Sequence, residues 1–163
     1  MSSFDAFALD PRIEESIAAL GFENTTPIQA ETIPLMLKGH DVIGQARTGS
    51  GKTAAFGLPL LERVKDAPKG VRALVLAPTR ELAIQVTEAL RSYSKKLPIR
   101  MVTIYGGAPY PPQLKALKKG VSIVVGTPGR VLDHMERGSL DLSQVELLVL
   151  DEADEMLRMG FIE

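Results

Sequence analysis

Residues 41–53 of the chain read Asp41-Val42-Ile43-Gly44-Gln45-Ala46-Arg47-Thr48-Gly49-Ser50-Gly51-Lys52-Thr53. A short apolar run, a glycine-rich turn and an apolar helical pattern follow one another here, which predicts a strand, a loop and a helix. Glycines let a loop point its backbone N–H groups at a phosphate, and a helix start adds unpaired N–H groups and partial positive charge. A phosphate-binding loop is therefore favoured over an ordinary glycine-rich helix cap.

The end of this loop carries two side chains with predicted roles. We expect Lys52 to reach the β- and γ-phosphates of a nucleotide and the Thr53 hydroxyl to ligate Mg²⁺. Ala46 stands where the strict pattern has its first glycine, so the motif is a loosened version of the phosphate-binding loop.

The apolar run at Asp41–Gly44 is the first of five, and the others are Ala73–Ala77, Met101–Tyr105, Ser122–Val125 and Leu147–Leu150. Because the runs are continuous rather than alternating, they predict strands of a parallel sheet that are buried on both faces. Helical patterns alternate with them at Thr53–Asp66, Thr79–Lys96, Pro112–Lys119 and Pro128–Arg137. This alternation predicts an α/β fold with a doubly wound parallel sheet and helices on both faces.

Turn residues divide the rest of the chain. Asp10-Pro11 predicts the start of a helix that ends at Gly21, and Thr26-Pro27 predicts the start of a second helix that ends at Gly39. The proline-rich stretch Gly106–Pro112 predicts a rigid loop, to which we assign no function.

Composition sets outer bounds on function. A chain of 163 residues with 45% hydrophobic and 24% charged residues is typical of one globular domain. The formal net charge of −1 excludes a uniformly basic nucleic-acid-binding coat, so any phosphate-binding surface has to be local. The absence of cysteine excludes disulfides and thiolate chemistry. With neither a leader pattern nor a long apolar run, we expect a cytoplasmic protein without membrane contact.

An acidic pair follows the last apolar run. Asp151 and Glu152 come directly after a predicted buried strand, at the same edge of the sheet as the phosphate loop. We expect Asp151 to hold Mg²⁺ and Glu152 to polarise the water that attacks the γ-phosphate. Taken alone, the pair is better explained by helix capping, and it is the companion phosphate loop that favours the functional interpretation.

Two further helix starts place an arginine in a first turn, at Pro78-Thr79-Arg80 and at Thr127-Pro128-Gly129-Arg130. Helix N-termini favour anions, so a nucleic-acid backbone would neutralise both arginines without any reading of bases. Taken alone, the second motif is better interpreted as a good helix cap followed by a solvated Arg130. Gln29 likewise fits a capping box with Thr26, and spacing alone favours the cap over contact with an adenine edge.

Taken together, these motifs resemble the N-terminal RecA-like lobe of a DEAD-box ATP-dependent RNA helicase. The resemblance covers the whole chain and rests on motifs that occur in the family's order: Phe4 with Gly21-Phe22 and Thr26-Pro27-Ile28-Gln29, Ala46 to Thr53, Pro78 to Ala83, Gly106-Gly107, Thr127 to Arg130, and Asp151-Glu152-Ala153-Asp154. Alanine at position 46 is the family's own usage.

The resemblance implies a role for each motif position. It implies that Gln29 reads adenine, against the cap suggested by spacing, and that Phe22 and Phe4 pack against or support the adenine site. It implies that ATP phosphates are bound by Ala46, Thr48, Gly49, Ser50, Gly51, Lys52 and Thr53. It implies that Asp151 organises Mg²⁺, that Glu152 orients the attacking water and that Asp154 couples the site to partner motifs. The RNA sugar–phosphate backbone would lie along Pro78, Thr79, Arg80, Gly107, Thr127, Gly129 and Arg130.

The same resemblance divides the chain into a Q-motif helical region at 1–39 and an incomplete RecA-like ATP-binding domain at 40–163. The family's Ser/Gly-Ala-Thr motif and second RecA-like lobe would be absent, and the sheet would lack its last strand or strands. The missing strand normally lies between the phosphate-loop strand and the acidic-motif strand. We expect such a chain to be marginally stable or to complete its sheet by pairing with another chain.

A helicase without its second lobe is expected to be inactive. That lobe supplies arginines to the γ-phosphate, and the loss of such residues lowers rates by about 10³–10⁵. We therefore expect weak nucleotide binding and no RNA-stimulated ATP turnover by this chain alone. Two alternatives stay open: a non-catalytic half-helicase module that binds nucleotide or RNA, and a phosphate-loop ATPase that acts on DNA or protein. The Gln29 and Arg130 motifs disfavour the second.

Overall fold

The computed structural model describes residues 3–46 and 51–158. A short 3₁₀ helix, Phe4–Phe7, comes first. In chain order the elements that follow are α1 (Pro11–Ala19), α2 (Pro27–Leu37), α3 (Lys52–Val64), β1 (Ala73–Leu76), α4 (Arg80–Tyr93), β2 (Met101–Ile104), α5 (Tyr110–Lys119), β3 (Ile123–Gly126), α6 (Pro128–Glu136), β4 (Leu147–Leu150) and α7 (Ala153–Arg158).

The four strands form one parallel sheet in the order β2-β3-β1-β4. In the register of this sheet, Leu76 lies beside both Gly126 and Leu150, and Ile104 lies beside Gly126. The last residues of all four strands are therefore level with one another. The segments that follow the strands leave the sheet at one edge, as predicted for a parallel α/β fold.

Burial of the strands agrees with the sequence in part. β1 and β3 are almost wholly buried, as their continuous apolar runs predict. The same prediction is wrong for β4, where Leu148 is 56% exposed and Leu150 is 41% exposed. Because β4 pairs only with β1 in the described sheet, it has a neighbouring strand on one side and not on the other.

The strand predicted at Asp41–Gly44 is not formed. Residues 41–46 have no regular secondary structure, and Ile43 is 97% exposed. A strand is stabilised by hydrogen bonds to a neighbour, and none of the four described strands pairs with this segment. The strand expected between this run and β4 is not among those four, which gives the physical reason for the wrong prediction.

The helix boundaries follow the predicted caps, with one exception. The Asp10 side chain accepts a hydrogen bond from Arg12 N at 2.8 Å, and α1 is followed by Gly21 with φ +84°. α5 begins at Tyr110 rather than at Pro112, so the loop predicted at Gly106–Pro112 ends at Pro109. Pro111 and Pro112 fit the first turn of this helix because N–H groups there have no partner within the helix.

Two compact units make up the chain. The first contains Met1–Asp66 and Glu88–Pro98, and in it α2 packs against α3. The second contains Ala67–Thr87 and Ile99–Glu163, and in it α5 packs against β2. The core of the second unit is apolar and consists of Val71, Leu74, Val102, Ile104, Val121, Val124, Val131 and Leu140. The predicted domain boundary after residue 39 stays a prediction.

Within residues 3–46 and 51–158, no helix has both the length and the apolar character needed to cross a membrane.

Candidate functional site

The Gln29 side chain joins two motifs of the first unit. It lies in the first turn of α2 and is only 4% exposed. Its Oε1 accepts a hydrogen bond from Thr26 N at 2.9 Å, and its Nε2 donates to the carbonyl oxygen of Gly51 at 3.1 Å. The first bond is half of the capping box that the spacing predicts. The second ties the carboxamide to the residue that precedes α3.

Gly51 takes a backbone conformation that its position requires. Its φ is +83°, and it forms the N-cap of α3 without a side-chain hydrogen bond to the helix. A Cβ atom at this position would lie 2.3 Å from Gln29 Nε2 and 3.0 Å from Thr26 Oγ1. Glycine therefore permits both the left-handed turn and the close approach of Gln29.

The start of α3 carries two of the predicted phosphate-binding residues. Lys52 and Thr53 are half-buried in its first turn, and the first backbone N–H groups of a helix have no partner within it. Ala46 is half-buried and outside regular structure. The other predicted residues of this loop, Thr48, Gly49 and Ser50, lie outside the described residues.

The aromatic residues of the first unit form a connected group. The Phe4 ring lies 5.7 Å from that of Phe22, which in turn lies 5.8 Å from that of Tyr93, measured between centroids. A cleft of about 300 Å³ opens beside them, lined by Ser3, Phe4, Asp5, Glu14, Ile17, Ala18, Phe22 and Glu23. The structure thus brings the two predicted adenine-site phenylalanines together, while Gln29 does not line their cleft.

In the second unit, the predicted nucleic-acid residues gather at the carboxyl ends of three neighbouring strands. Pro78 and Thr79 follow β1, Gly107 follows β2, and Thr127 follows β3. Pro78 is buried, whereas Thr79, Gly107 and Gly129 are exposed. Gly107 has φ +79°, and no atom lies within 4 Å of the position that its Cβ would take. The structure thus brings these motifs to one edge of the sheet.

Arg80 and Thr79 open α4. The Thr79 hydroxyl accepts a hydrogen bond from Leu82 N at 3.2 Å, so this threonine caps the helix as predicted. Arg80 is exposed, and its guanidinium carbon lies 4.9 Å from the centroid of the Tyr105 ring. Attraction to the face of the ring gives Arg80 a partner inside the protein, which the sequence did not indicate.

Arg130 occupies the first turn of α6 and is half-buried. Its Nη1 donates to the carbonyl oxygen of Ala108 at 3.0 Å and to Gln113 Oε1 at 3.1 Å. Its guanidinium carbon lies 3.9 Å from the centroid of the Tyr110 ring. The side chain is therefore held by protein groups rather than fully solvated, and its contact with a phosphate stays a prediction.

Behind Arg130, His134 is completely buried. Its Nε2 lies 2.9 Å from Gln113 Oε1, and its Nδ1 lies 2.7 Å from Ser139 Oγ. Burial lowers the pKa of His134, and the positive charge of Arg130 lowers it further. The residue is thus a hydrogen-bonded core histidine in surroundings that disfavour its charged form.

The acidic motif follows β4. Asp151 N donates to the carbonyl oxygen of Leu76 at 2.9 Å, and the residue is only 3% exposed. Glu152 has φ +53°, and its carbonyl oxygen accepts hydrogen bonds from Glu155 N at 3.0 Å and Met156 N at 3.2 Å. The capping role that the sequence left open for the acidic pair is thus carried by the Glu152 backbone. Asp154 is exposed and lies 3.8 Å from Arg158.

The described residues contain no group of three or more His, Asp or Glu side chains suited to a metal ion. The two predicted Mg²⁺ ligands, Thr53 and Asp151, offer oxygen atoms, which is the donor type that Mg²⁺ prefers. Their donor chemistry fits the metal.

The model of the DEAD/DEAH box helicase family matches residues 26–163, which is most of the chain. The chain belongs to this family. It is 55% identical over its whole length to ATP-dependent RNA helicase CshA of Listeria monocytogenes and covers 31% of that protein. It is 57% identical over 99% of its length to ATP-dependent RNA helicase DeaD of Escherichia coli and covers 26% of that protein. The chain thus spans about a third of the length of the curated relatives it matches.

Solved structures of DEAD-box proteins share the fold. A DEAD box protein from Methanococcus jannaschii superposes with a TM-score of 0.93 at 50% identity, over 98% of this chain and 44% of that one. A hypothetical ATP-dependent RNA helicase from Sulfolobus tokodaii gives 0.87 at 44% identity, over 94% of this chain and 44% of that one. The family and the RecA-like α/β class predicted from the sequence are confirmed.

Sequence reasoning missed the groups that hold the arginines of this DEAD-box chain. Tyr105, Tyr110 and Gln113 belong to no motif that the residues alone suggested. One signal was available, since Arg130 and His134 are four residues apart and therefore share a face of α6. That spacing could have indicated a common partner on another element.

Proposed function

We propose that this chain is the ATP-binding lobe of an ATP-dependent RNA helicase that couples ATP hydrolysis to local unwinding of RNA duplexes. The observation that carries the proposal is the pair of hydrogen bonds made by Gln29, to Thr26 N and to the carbonyl oxygen of Gly51. This pair fixes a base-reading group beside the start of α3, where phosphates would bind.

The Gln29 carboxamide keeps the capacity to pair with adenine. A carboxamide oxygen has two lone pairs and its nitrogen has two hydrogens, and the observed bonds use one of each. One acceptor site and one N–H therefore remain, and adenine offers a donor and an acceptor on one edge. The cap and the adenine contact are thus compatible roles of one side chain, and Phe22 and Phe4 would support the base.

The start of α3 is suited to the triphosphate. Its first N–H groups and the positive end of its dipole favour an anion, and Lys52 adds a positive charge in the same turn. We propose that Thr53 and Asp151 hold Mg²⁺, which would neutralise phosphate charge when bound. The residues proposed to bind the phosphates are Ala46, Thr48, Gly49, Ser50, Gly51, Lys52 and Thr53. Glu152 would orient the attacking water, and Asp154 would couple the site to the second lobe.

RNA would bind along the carboxyl edge of the sheet in the second unit. Exposed backbone at Gly107 and Gly129 and the arginines at 80 and 130 are suited to sugar and phosphate groups. These residues contact no base in the proposal, so binding would not depend on sequence. We propose a cytoplasmic location, in keeping with bacterial relatives that carry the name RNA helicase.

ATP turnover tests the proposed activity. Hydrolysis is measured for the 163-residue chain and for a two-lobed protein in which this chain is joined to the second lobe of a DEAD-box relative. We expect the two-lobed protein to be stimulated by single-stranded RNA but not by DNA of the same sequence, and the chain alone to show no stimulation. Equal stimulation by DNA would contradict the RNA specificity, and robust stimulation of the chain alone would contradict its predicted inactivity.

Base selectivity tests the role of Gln29 separately. We expect the chain to bind ATP more tightly than GTP, and Gln29→Met to lose this preference because methionine keeps the shape but not the donor and acceptor. Gln144→Met, at an exposed position, is the matched control. Retention of the ATP preference by Gln29→Met would contradict the proposed contact with adenine.

Self-association of the chain through β4 is a further proposal. The exposed leucines at 148 and 150 and the unpaired side of β4 in the described sheet support it. Sedimentation velocity over a range of concentrations is the test. A strictly monomeric chain with cooperative thermal unfolding would contradict it.

A further inference from the structure

The contacts of Arg130 use only one edge and one face of its guanidinium group. Nη1 donates to Ala108 O and to Gln113 Oε1, and the Tyr110 ring lies against the planar group. Of the five N–H donors of arginine, these bonds use the two on Nη1. No described residue accepts a hydrogen bond from Nε or Nη2. Because neither atom is among the buried polar atoms that lack a partner, both have contact with solvent.

Gln113 is the group that orients Nη1. The residue is 5% exposed, and its Nε2 donates to the carbonyl oxygen of Tyr105 at 3.1 Å. Its Oε1 is therefore the acceptor atom, and it accepts from Arg130 Nη1 and from His134 Nε2 at once. Because both of its polar atoms are engaged, the carboxamide has one orientation, and that orientation fixes Nη1.

Tyr110 is placed by its own element and by α6. It is the first residue of α5, between Pro109 and Pro111, whose rings restrict the backbone. Its hydroxyl donates to Asp133 Oδ2, and Arg137 approaches the same ring with its guanidinium carbon 3.9 Å from the centroid. The proline-rich segment to which the sequence assigned no function thus holds an aromatic ring against Arg130.

We propose that Gln113 and Tyr110 are positioning residues that hold the Arg130 guanidinium with its Nε–Nη2 edge directed to solvent, ready to bind one phosphate of the RNA backbone. This edge presents parallel N–H groups, which match two oxygens of a phosphate. A flexible arginine has to be ordered when it binds, and here the order exists before RNA arrives. The inference rests on the proposed function, because its ligand is the RNA of that proposal.

Salt-dependent RNA binding separates positioning from charge. The probe is a fluorescein-labelled single-stranded oligouridylate, and its affinity for the chain is measured by anisotropy between about 50 and 200 mM salt. Arg130→Ala removes a phosphate contact, so we expect weaker binding and a slope of log affinity against log salt that is smaller by about 0.7. Gln113→Met and Tyr110→Leu keep the charge of Arg130 but not its order. For both we expect binding that is about 3- to 10-fold weaker with the slope unchanged.

Conservative and matched variants complete the design. Tyr110→Phe keeps the ring, so its affinity should stay within about twofold of the wild type. Arg137→Ala removes a positive charge that contacts the same ring. Because this charge is already paired with Asp133 at 3.2 Å, the affinity of this variant for RNA should also stay within about twofold of the wild type. Urea unfolding of every variant checks stability. If Gln113→Met unfolds because His134 loses its partner, the RNA affinities of Tyr110→Leu and Tyr110→Phe test the positioning role without it.

Three results would overturn the inference. Wild-type affinity in Tyr110→Leu together with a loss in Arg130→Ala would refute positioning while leaving the proposed RNA contact intact. No RNA binding by the wild type, or no change in Arg130→Ala, would refute that contact and this inference with it. A loss in Arg137→Ala equal to that in Arg130→Ala would show that the general positive field, and not an oriented guanidinium, attracts RNA.

Discussion

The contact between Gly51 and Gln29 yields a prediction with a matched control. Gly51 and Gly21 have almost the same φ, +83° and +84°, and both belong to the first unit. A Cβ atom at Gly21 would meet nothing within 4 Å, whereas at Gly51 it would lie 2.3 Å from Gln29 Nε2. Substitution by alanine therefore forces the same left-handed backbone on both, at about 1–2 kcal/mol. Only Gly51→Ala adds a steric conflict.

The conflict sets the size of the difference. To relieve it, the Gln29 carboxamide has to move, which breaks its 3.1 Å bond to the Gly51 carbonyl oxygen and its 2.9 Å bond from Thr26 N. Each bond contributes about 0.5–1.5 kcal/mol net. We expect the free energy of unfolding to be about 1–3 kcal/mol lower in Gly51→Ala than in Gly21→Ala. For a chain of this length, each kcal/mol corresponds to about 2–4 °C in Tm.

Urea unfolding followed by far-UV circular dichroism measures the difference, and a double-mutant cycle identifies its cause. In a Gln29→Ala background the 2.3 Å conflict is gone and only the 3.0 Å approach to Thr26 Oγ1 remains, so most of the difference between Gly51→Ala and Gly21→Ala should disappear. The reasoning is refuted if the two single glycine variants agree within about 0.5 kcal/mol, or if their difference persists without the Gln29 side chain.

Three more predictions concern stability. Gly126→Ala should lower the free energy of unfolding by about 3 kcal/mol, because its Cβ would lie 2.6 Å from Val131 Cγ2 and 2.7 Å from the carbonyl oxygen of Ile104. Gly129→Ala is the control: its Cβ would meet nothing within 4 Å, so the same urea assay should show no loss of stability. Burial lowers the pKa of His134 most, the charges of Arg130 and Arg137 lower it further, and the charge of Asp133 opposes them. Below about pH 6.5 the unfolded chain therefore binds more protons than the folded chain. Wild-type stability should thus fall as the pH drops through this range, and His134→Gln should abolish that dependence while exposed His40→Gln keeps it. Hydrogen bonds from the Arg12 side chain and backbone, with help from Lys65, hold the pKa of Asp10 far below its usual range, so its contribution to stability is present above about pH 3.9 and lost as the pH falls further. Asp10→Asn should lower Tm at neutral pH and flatten the acid limb, and unchanged thermal melts relative to exposed Asp41→Asn would contradict this.

How far the sequence predicts the fold depends on how local each signal is. Asp10-Pro11, Gly21 and Thr26-Pro27 mark helix ends correctly because capping is decided within a few residues. The apolar run at Asp41–Gly44 has the composition of a strand, yet whether a strand forms depends on a paired neighbour. No property of the four residues themselves could reveal that no described strand pairs with them.

The candidate site shows the same division. Gln29 was assigned a cap from its spacing and an adenine contact from the family resemblance, and the structure shows the cap together with a bond to Gly51 that neither indicated. That bond joins residues 22 positions apart. Likewise Gln113 of α5 meets Arg130 and His134 of α6, which are 17 and 21 positions away along the chain. Contacts of this kind follow from topology: the spacing of Arg130 and His134 indicates that they share a face of α6, but not which residue meets that face.

The two arginines at helix starts show how a nearly neutral chain could bind a polyanion. A positive charge in a first helical turn is disfavoured by about 0.3–1 kcal/mol, and the sequence suggested a phosphate as the group that would neutralise it. Tyrosine faces near Arg80 and Arg130 provide an attraction of similar size, about 0.5–1 kcal/mol, that exists without any ligand. The helix starts can therefore keep their cations in the unbound protein. In the proposed function, affinity for RNA would then depend on a few ordered guanidinium groups rather than on net charge, so a formal charge of −1 does not argue against the proposal.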